Sequence, residues 1–420
     1  LRLSEEERRI LAGKSGPAAR LALSVLVELG ELFGAREMVQ VAMAHDDSVI
    51  FVGQAGIEFA EHLVELGGRV SVPTSLNACD IDFERWAELR VPPRALEVNR
   101  RIARAHLALG AAPTWTCAPY QAGLVPRFGQ HIAWAESNAV AFANSIIGAR
   151  TNRYPGLIDL CAAIAGRVPK YGLHLRENRQ ARVLIRLSGL TKEMLALDSI
   201  YPLLGYLLGE IAGDRVAALA GLPAQVGMDS LKGFSAAAAS SGAVGLFHLV
   251  GLTPEAQTLE ACLDGPEAVE ETEITPRMIA RAQARLSPAD PGEVDLVALG
   301  CPHFSFQEFM ELARYLEGRR VHGHLALWAF TSRAVYGWLK DSGLLEKLKN
   351  AGAMVFTDGC PLAFPREAWE FKAVMTNSAK MANYCFAQTG LKAVLGGLRD
   401  CLETALAGRV RRRETPWDGF

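Results

Sequence analysis

Val294-Asp295-Leu296-Val297-Ala298-Leu299-Gly300-Cys301-Pro302-His303 is the stretch on which the reading of the fold turns. Five of its first six side chains are apolar, as in a strand covered on both faces. The run ends at a glycine and a Cys-Pro step that stiffen a turn. Similar runs lie at Leu325–Phe330, Ala353–Phe356, Ala373–Met375 and Ala393–Leu395, most of them followed by apolar residues at helical spacing. This alternation predicts a multi-domain α/β protein with a doubly wound parallel sheet in the C-terminal domain. After four of these strands come Cys301, then Thr331 and Ser332, then Asp358 and Cys360, then Thr376, Asn377 and Ser378. Ligands of an open parallel sheet bind beyond its carboxyl ends, so the four loops are expected to line one crevice.

Upstream, Ser4 before Glu5, Glu6 and Glu7 has the acidic first turn of a helix, and apolar positions from Ile10 to Val27 keep helical spacing. Short apolar runs at Met38–Ala44, Ser48–Val52 and Arg69–Val72 read as strands, with a helix at about Gly56–Leu66. A basic helix is expected between Pro92 and Leu109, then a long irregular loop from Ala111 to Gly129. The acidic, Pro-rich segment Pro266–Pro291 is the expected linker. It divides an N-terminal α/β region, residues 1–285 with Cys117, from a C-terminal domain, residues 286–420 with Cys301 and Cys360.

The 420 residues allow two or three domains, and 44 basic against 46 acidic side chains leave a formal charge of -2. That balance argues against a nucleic-acid or anionic-lipid partner. The longest uncharged run, Gly233–Pro254, carries Ser235, Ser240, Ser241, His248 and several glycines, and so reads as buried packing, not a membrane span. No apolar signal core opens the chain, and its few cysteines do not form a disulfide scaffold; a cytoplasmic protein is expected. Gly13-Lys14-Ser15 lacks the upstream glycine of a phosphate loop, His322 and His324 lack a third ligand, and no dinucleotide fingerprint follows any strand.

The cysteines fall into two kinds. Cys161, Cys262, Cys385 and Cys401 lie in helical patterns and read as inert, buried thiols. Cys117, Cys301 and Cys360 lie in loops with a proline one or two residues on. Such turns suit thiolates around an inorganic centre, and buried turn cysteines are the alternative. Three Cys ligands would leave one iron of a four-iron cluster open to act as a Lewis acid on a hydroxyl. Cys79 could approach the same crevice or fill space.

At His45-Asp46, Pro73-Thr74-Ser75-Leu76-Asn77, Thr116-Cys117-Ala118-Pro119-Tyr120, His131-Ile132-Ala133-Trp134-Ala135-Glu136-Ser137-Asn138, Gly148-Ala149-Arg150-Thr151-Asn152-Arg153, Phe247-His248, Thr253-Pro254-Glu255-Ala256, Gly300-Cys301-Pro302-His303, Thr357-Asp358-Gly359-Cys360 and Thr376-Asn377-Ser378-Ala379-Lys380 the chain resembles the large subunit of the aconitase X family, dehydratases related to aconitase. The resemblance spans nearly the whole sequence. It implies an iron–sulfur cluster, [4Fe-4S] favoured with [2Fe-2S] and [3Fe-4S] open, on Cys117, Cys301 and Cys360. It also implies a hydro-lyase acting on a small hydroxy acid. The favoured substrate is cis-3-hydroxy-L-proline, giving Δ1-pyrroline-2-carboxylate, and the alternative is mevalonate 5-phosphate. A separate small swivelling subunit is implied too, bringing a serine needed for proton transfer. The chain departs from the family in having Cys79 where a small apolar residue or glycine is usual, and His45-Asp46-Asp47-Ser48 for His-Ile-Asp-Gly.

Expulsion of hydroxide and loss of a C–H proton beside a carboxylate both need help. Glu136, Ser378 and Lys380 are the expected catalytic groups. Glu136 sits in an apolar run that demands a partner, Arg150 being the simple alternative to a catalytic role. Arg153 offers a fork for a carboxylate, and Asn377 with Ser378 opens a helix beside Lys380. His45, Asp46, Asn77, Asn138, Thr151 and Asn152 complete the expected substrate-binding set. From other classes, a metal-free α/β binding or scaffold protein and a cysteine-nucleophile enzyme using Cys301 and His303 compete with this reading.

Overall fold

The computed structural model describes residues 1–263 and 269–420. Its strands are β1 (Met38–Gln40), β2 (Ala44–Asp46), β3 (Thr74–Leu76), β4 (Ala133–Trp134), β5 (Arg167–Pro169), β6 (Val183–Leu187), β7 (Ala217–Ala220), β8 (Phe247–Leu249), β9 (Glu270–Ile274), β10 (Val294–Leu299), β11 (Ala326–Phe330), β12 (Ala353–Phe356), β13 (Ala373–Thr376) and β14 (Lys392–Leu395). The last five form the expected parallel sheet, in the order β12-β11-β10-β13-β14. Leu296, Val297, Ala298 and Leu299 are buried because helices cover both faces. The polar residues after these strands mostly start those helices. Ser305 and Glu308 form a reciprocal cap on Phe306–Leu316, Ser332 caps Arg333–Asp341, and Ser378 caps Ala379–Thr389.

Three smaller sheets precede it: antiparallel β1-β5, parallel β3-β2-β4, and parallel β8-β7-β6-β9. The expected N-terminal helices are present at Glu5–Leu11 and Pro17–Leu32, followed by Gln54–Glu65 and Pro93–Ala108. Other expectations fail locally. Residues 48–52 make a turn, because Asp46 Oδ1 accepts the Ser48 N–H and hydroxyl and bends the chain out of the sheet. Arg69–Val72 is irregular, and the strand there is β3. The segment expected as linker contains β9, which pairs with β6, and the helix Pro276–Arg285. Its charged residues form the exposed side of an edge strand; residues 266–268 lie outside the described residues.

The small-residue run at 233–241 does pack as expected. It belongs to the helix Met228–Ser241, which crosses the helix Ile200–Ala212 so closely that a Cβ on Gly205 would stand 2.2 Å from the Phe234 carbonyl oxygen. Among the described residues no helix is long and apolar enough to cross a membrane. Gly205→Ala should push these helices apart and cost about 1–3 kcal/mol, read as a lower urea midpoint without loss of helical circular dichroism.

Candidate active site

Two parallel sheets present their carboxyl ends to one cavity of about 920 Å³. From the sheet β3-β2-β4 come Asp47 after β2, Asn77 after β3 and Glu136 after β4. From the C-terminal sheet come Cys301 after β10 and Cys360 after β12, and the β13 loop leads into the helix bearing Lys380. The order of that sheet reverses between β10 and β13, so a crevice opens beside Cys301. Cys117 and Arg153 complete the wall. Gly300 makes the turn possible: its φ is +94°, and a Cβ there would lie 2.2 Å from the Phe330 carbonyl oxygen.

His303 joins the three cysteine loops. Its backbone N–H donates to Cys117 Sγ at 3.3 Å. Its Nε2–H donates to the Gly359 carbonyl at 3.2 Å, next to Cys360, since a carbonyl can only accept. Nδ1 therefore accepts from the Thr116 hydroxyl at 3.1 Å, next to Cys117. Its own carbonyl accepts from Lys232 Nζ at 3.2 Å, and Lys232 is held in turn by Asp229 and Glu308. Burial pushes the imidazole down to about 4, and with both nitrogens engaged it has no capacity to serve as a base for Cys301. The cysteine-nucleophile reading loses its base.

All eight cysteines are unpaired. Burial raises the thiols of Cys117, Cys301 and Cys360, Cys301 to about 12, while the charge of Lys380 opposes the rise at each. A hydrogen bond from Ser378 also favours the Cys301 thiolate. Among the described residues, no three His, Cys, Asp or Glu side chains converge as a site for a single metal ion. Cys79 stands behind the wall. Its N–H donates to Asp358 O and its carbonyl accepts from the Cys360 N–H, both at 2.8 Å, while its thiol faces the Ile81 carbonyl at 3.1 Å. The four inert cysteines are buried in helices as expected.

Glu136 has a partner, and it is Lys380, not Arg150. Lys380 Nζ lies 2.7 Å from Glu136 Oε1 and donates to Ser137 Oγ at 3.2 Å. Glu136 Oε2 accepts the Ala139 N–H at 2.6 Å, capping the helix Ser137–Phe142. Burial alone would raise this carboxyl, but the charge and hydrogen bond of Lys380, with the backbone donors, bring it below the usual range. Burial disfavours the Lys380 ammonium as well, and Glu136 and the thiols overcome that and raise it.

The remaining expected residues divide by position. Asn77 and Arg153 line the cavity with the groups above. Asn377 and Ser378 line an adjoining cavity of about 530 Å³ that meets the first at Gly300, Cys301 and Pro302. Asn138 donates to the Cys117 carbonyl at 3.1 Å, and its Oδ1 is buried without a partner. His45 is fully buried, with Nδ1 2.7 Å from Ser75 Oγ and Nε2 unpartnered. Asp46 does not reach the cavity; it faces His106 at 3.4 Å and Ser48. Thr151 binds the Trp134 backbone, and Asn152 binds Tyr171 O and Leu173 N, so both support the wall from behind. Thr331 and Ser332 are taken up by the Phe304 carbonyl and a helix cap, and Asp358 by Arg333, which removes them from the expected crevice.

Sequence reading missed Asp47. Successive strand residues point to opposite sides, so a site built around His45 continues at 47, not 46. Asp47 lines the cavity and accepts from Asn77 Nδ2.

Profiles for the first, second and third domains of aconitase X match residues 1–177, 181–284 and 294–407. Cis-3-hydroxy-L-proline dehydratase of Pseudomonas aeruginosa is 42% identical over 97% of this chain and 70% of its own length. The phosphomevalonate dehydratase large subunit of Methanothermobacter thermautotrophicus is 38% identical over 93% of this chain and 96% of its own. The crystal structure of Thermococcus kodakaraensis aconitase X, holo-form, superposes with a TM-score of 0.87 at 33% identity, over 96% of this chain and all of that one. The chain therefore belongs to the aconitase X family of hydro-lyases.

Proposed function

We propose that this chain is the iron–sulfur-bearing large subunit of a dehydratase acting on a small hydroxy-carboxylate, with cis-3-hydroxy-L-proline as substrate and Δ1-pyrroline-2-carboxylate as final product. The observation that carries the reading is the meeting of Cys117, Cys301 and Cys360 on one cavity beside the Glu136–Lys380 pair. The donor set fits a cluster. Its thiols are unpaired and spread around a wall, without the convergence on a point that a single ion needs, and buried thiols release their protons when a metal group binds. The chemistry such a group supplies when bound is Lewis-acid polarisation of a substrate hydroxyl.

The chain's own residues supply the rest. Arg153 offers its planar fork to the substrate carboxylate at the cavity wall. Lys380 keeps a fixed positive charge next to the three thiols, and Glu136 fixes the position of that charge. Asn77 and Ser378 place polar hydrogens at the two sheet ends. Identity favours the hydroxyproline substrate, 42% against 38%. The second reading, mevalonate 5-phosphate, rests on the match to the archaeal large subunit, 38% identical over 93% of this chain. The same match, to proteins named as large subunits, supports a separate small subunit here. Phe51 and Val52, both exposed at the cavity, offer it a contact. The unpaired cysteines accord with a cytoplasmic setting.

The chain co-purified anaerobically with its small subunit should dehydrate cis-3-hydroxy-L-proline, and the chain alone should not. Turnover of mevalonate 5-phosphate only would transfer the assignment to the second reading. The complex should be brown and contain iron and sulfide, and Cys301→Ser should remove most of both; unchanged metal content would exclude the ligand assignment. His303→Ala should also lower iron content, by at least about half, and leave two buried partners, the Thr116 hydroxyl and the Gly359 carbonyl, unsatisfied at about 1–3 kcal/mol each. Visible absorbance and iron analysis read the first effect, and urea unfolding the second.

A further inference from the structure

We propose that Asp47 is the proton donor to the departing hydroxyl. The inference rests on the dehydratase reading and assigns a residue to one half of its chemistry. Four carboxylates line the cavity, Asp47, Asp80, Glu136 and Glu367; Asp80 Oδ2 accepts the Phe51 N–H at 3.0 Å, and Asp47 and Glu136 are the two that follow strands of the sheet β3-β2-β4. Glu136 is fully occupied, with one oxygen on Lys380 and Ser137 and the other on the Ala139 N–H. Held ionised by the Lys380 charge against its burial, it has no proton to give. Asp47 is the opposite case. Its Oδ1 accepts from Asn77 Nδ2, and among the described residues nothing hydrogen-bonds its Oδ2. Its backbone N–H is fixed by Asp159 Oδ2 at 2.6 Å, which holds the side chain over the cavity.

The surroundings favour a carboxyl that keeps its proton. Burial and the like charges of Glu136 and Asp46 raise Asp47 to about 7, against the opposing pull of Asn77 and Lys380. Asp159 presents its carboxylate to the backbone of Asp47, and Arg153 is the further cation on the same wall. Two neighbouring carboxylates driven apart in this way divide naturally into an ionised group and a proton donor. His45 is not a rival, because burial lowers it to about 4 and leaves it neutral near pH 7.

In the step, the C–O bond breaks with its electron pair on oxygen, and Asp47 passes its proton to that oxygen, so that water leaves and the carboxylate remains. The electrons of the adjacent C–H bond form the C=C bond, and that proton passes to a separate general base, which the family resemblance assigns to the small subunit.

The test compares the wild-type and Asp47→Asn holo-complexes on cis-3-hydroxy-L-proline and on cis-3-chloro-L-proline, whose chloride needs no proton to leave. For the hydroxyl substrate kcat should fall about 100-fold or more, with KM changed less than about threefold, and the chloride should be eliminated at close to the wild-type rate. The wild-type kcat should decline as pH rises through the donor's pKa with hydroxyl substrate and stay level with chloride. An equal loss on both substrates, a change in KM alone, or wild-type profiles that coincide would overturn the assignment. Iron content shows whether the variant is intact, and if it is not, the two wild-type pH profiles decide. The wild-type assay identifies the hydroxy acid, and the Asp47 comparison is made on that acid and its chloro analogue, so failure of the substrate reading and failure of the donor assignment appear in different measurements.

Discussion

The geometry of this cavity depends on one buried imidazole. Every polar atom of His303 is used, and three of the four contacts go to the loops of Cys117 and Cys360 while its backbone continues that of Cys301. Sulfurs on separate loops could otherwise drift independently, because a thiol's own hydrogen bonds are weak. A rigid ring held by a hydroxyl and a carbonyl turns three loop positions into one. Its neutrality is part of the device, since a charged imidazole would offer a second N–H to Thr116 and lose the acceptor at Nδ1.

Around that ring the site follows from strand direction. The sheet β3-β2-β4 and the C-terminal sheet both end toward the cavity, so the residues just beyond β2, β3, β4, β10 and β12 arrive there without long excursions. Lys380 comes from a helix instead, and its ion pair with Glu136 spans 244 residues of sequence to join the two sheet systems. Cys79 and Cys360 make a second tie, backbone to backbone.

The C-terminal sheet was legible in the sequence because strands buried on both faces are continuous apolar runs, and each of its five strands lies within a residue or so of the expected position. The first half was harder. Strands such as β2 and β4 span only three and two residues, too few for a period to register. The cysteines sorted correctly by loop against helix. Side chains such as Thr151, Asn152, Thr331 and Ser332 did not, because a polar residue near a strand end can serve the backbone as readily as a ligand, and only the fold shows which. The partner of Glu136 could not be read from local spacing, and Asp47 was hidden behind its neighbour Asp46.

Cys360 lies in the last part of the chain, while Cys117 stands near the end of its first third. The wall that Cys360 joins needs β12 paired with β11, and its loop leans on Cys79 from far upstream. A ribosome must therefore release the chain beyond β12 before all three thiols can be neighbours. A product that stopped before β12 would leave the cavity wall without its third loop thiol.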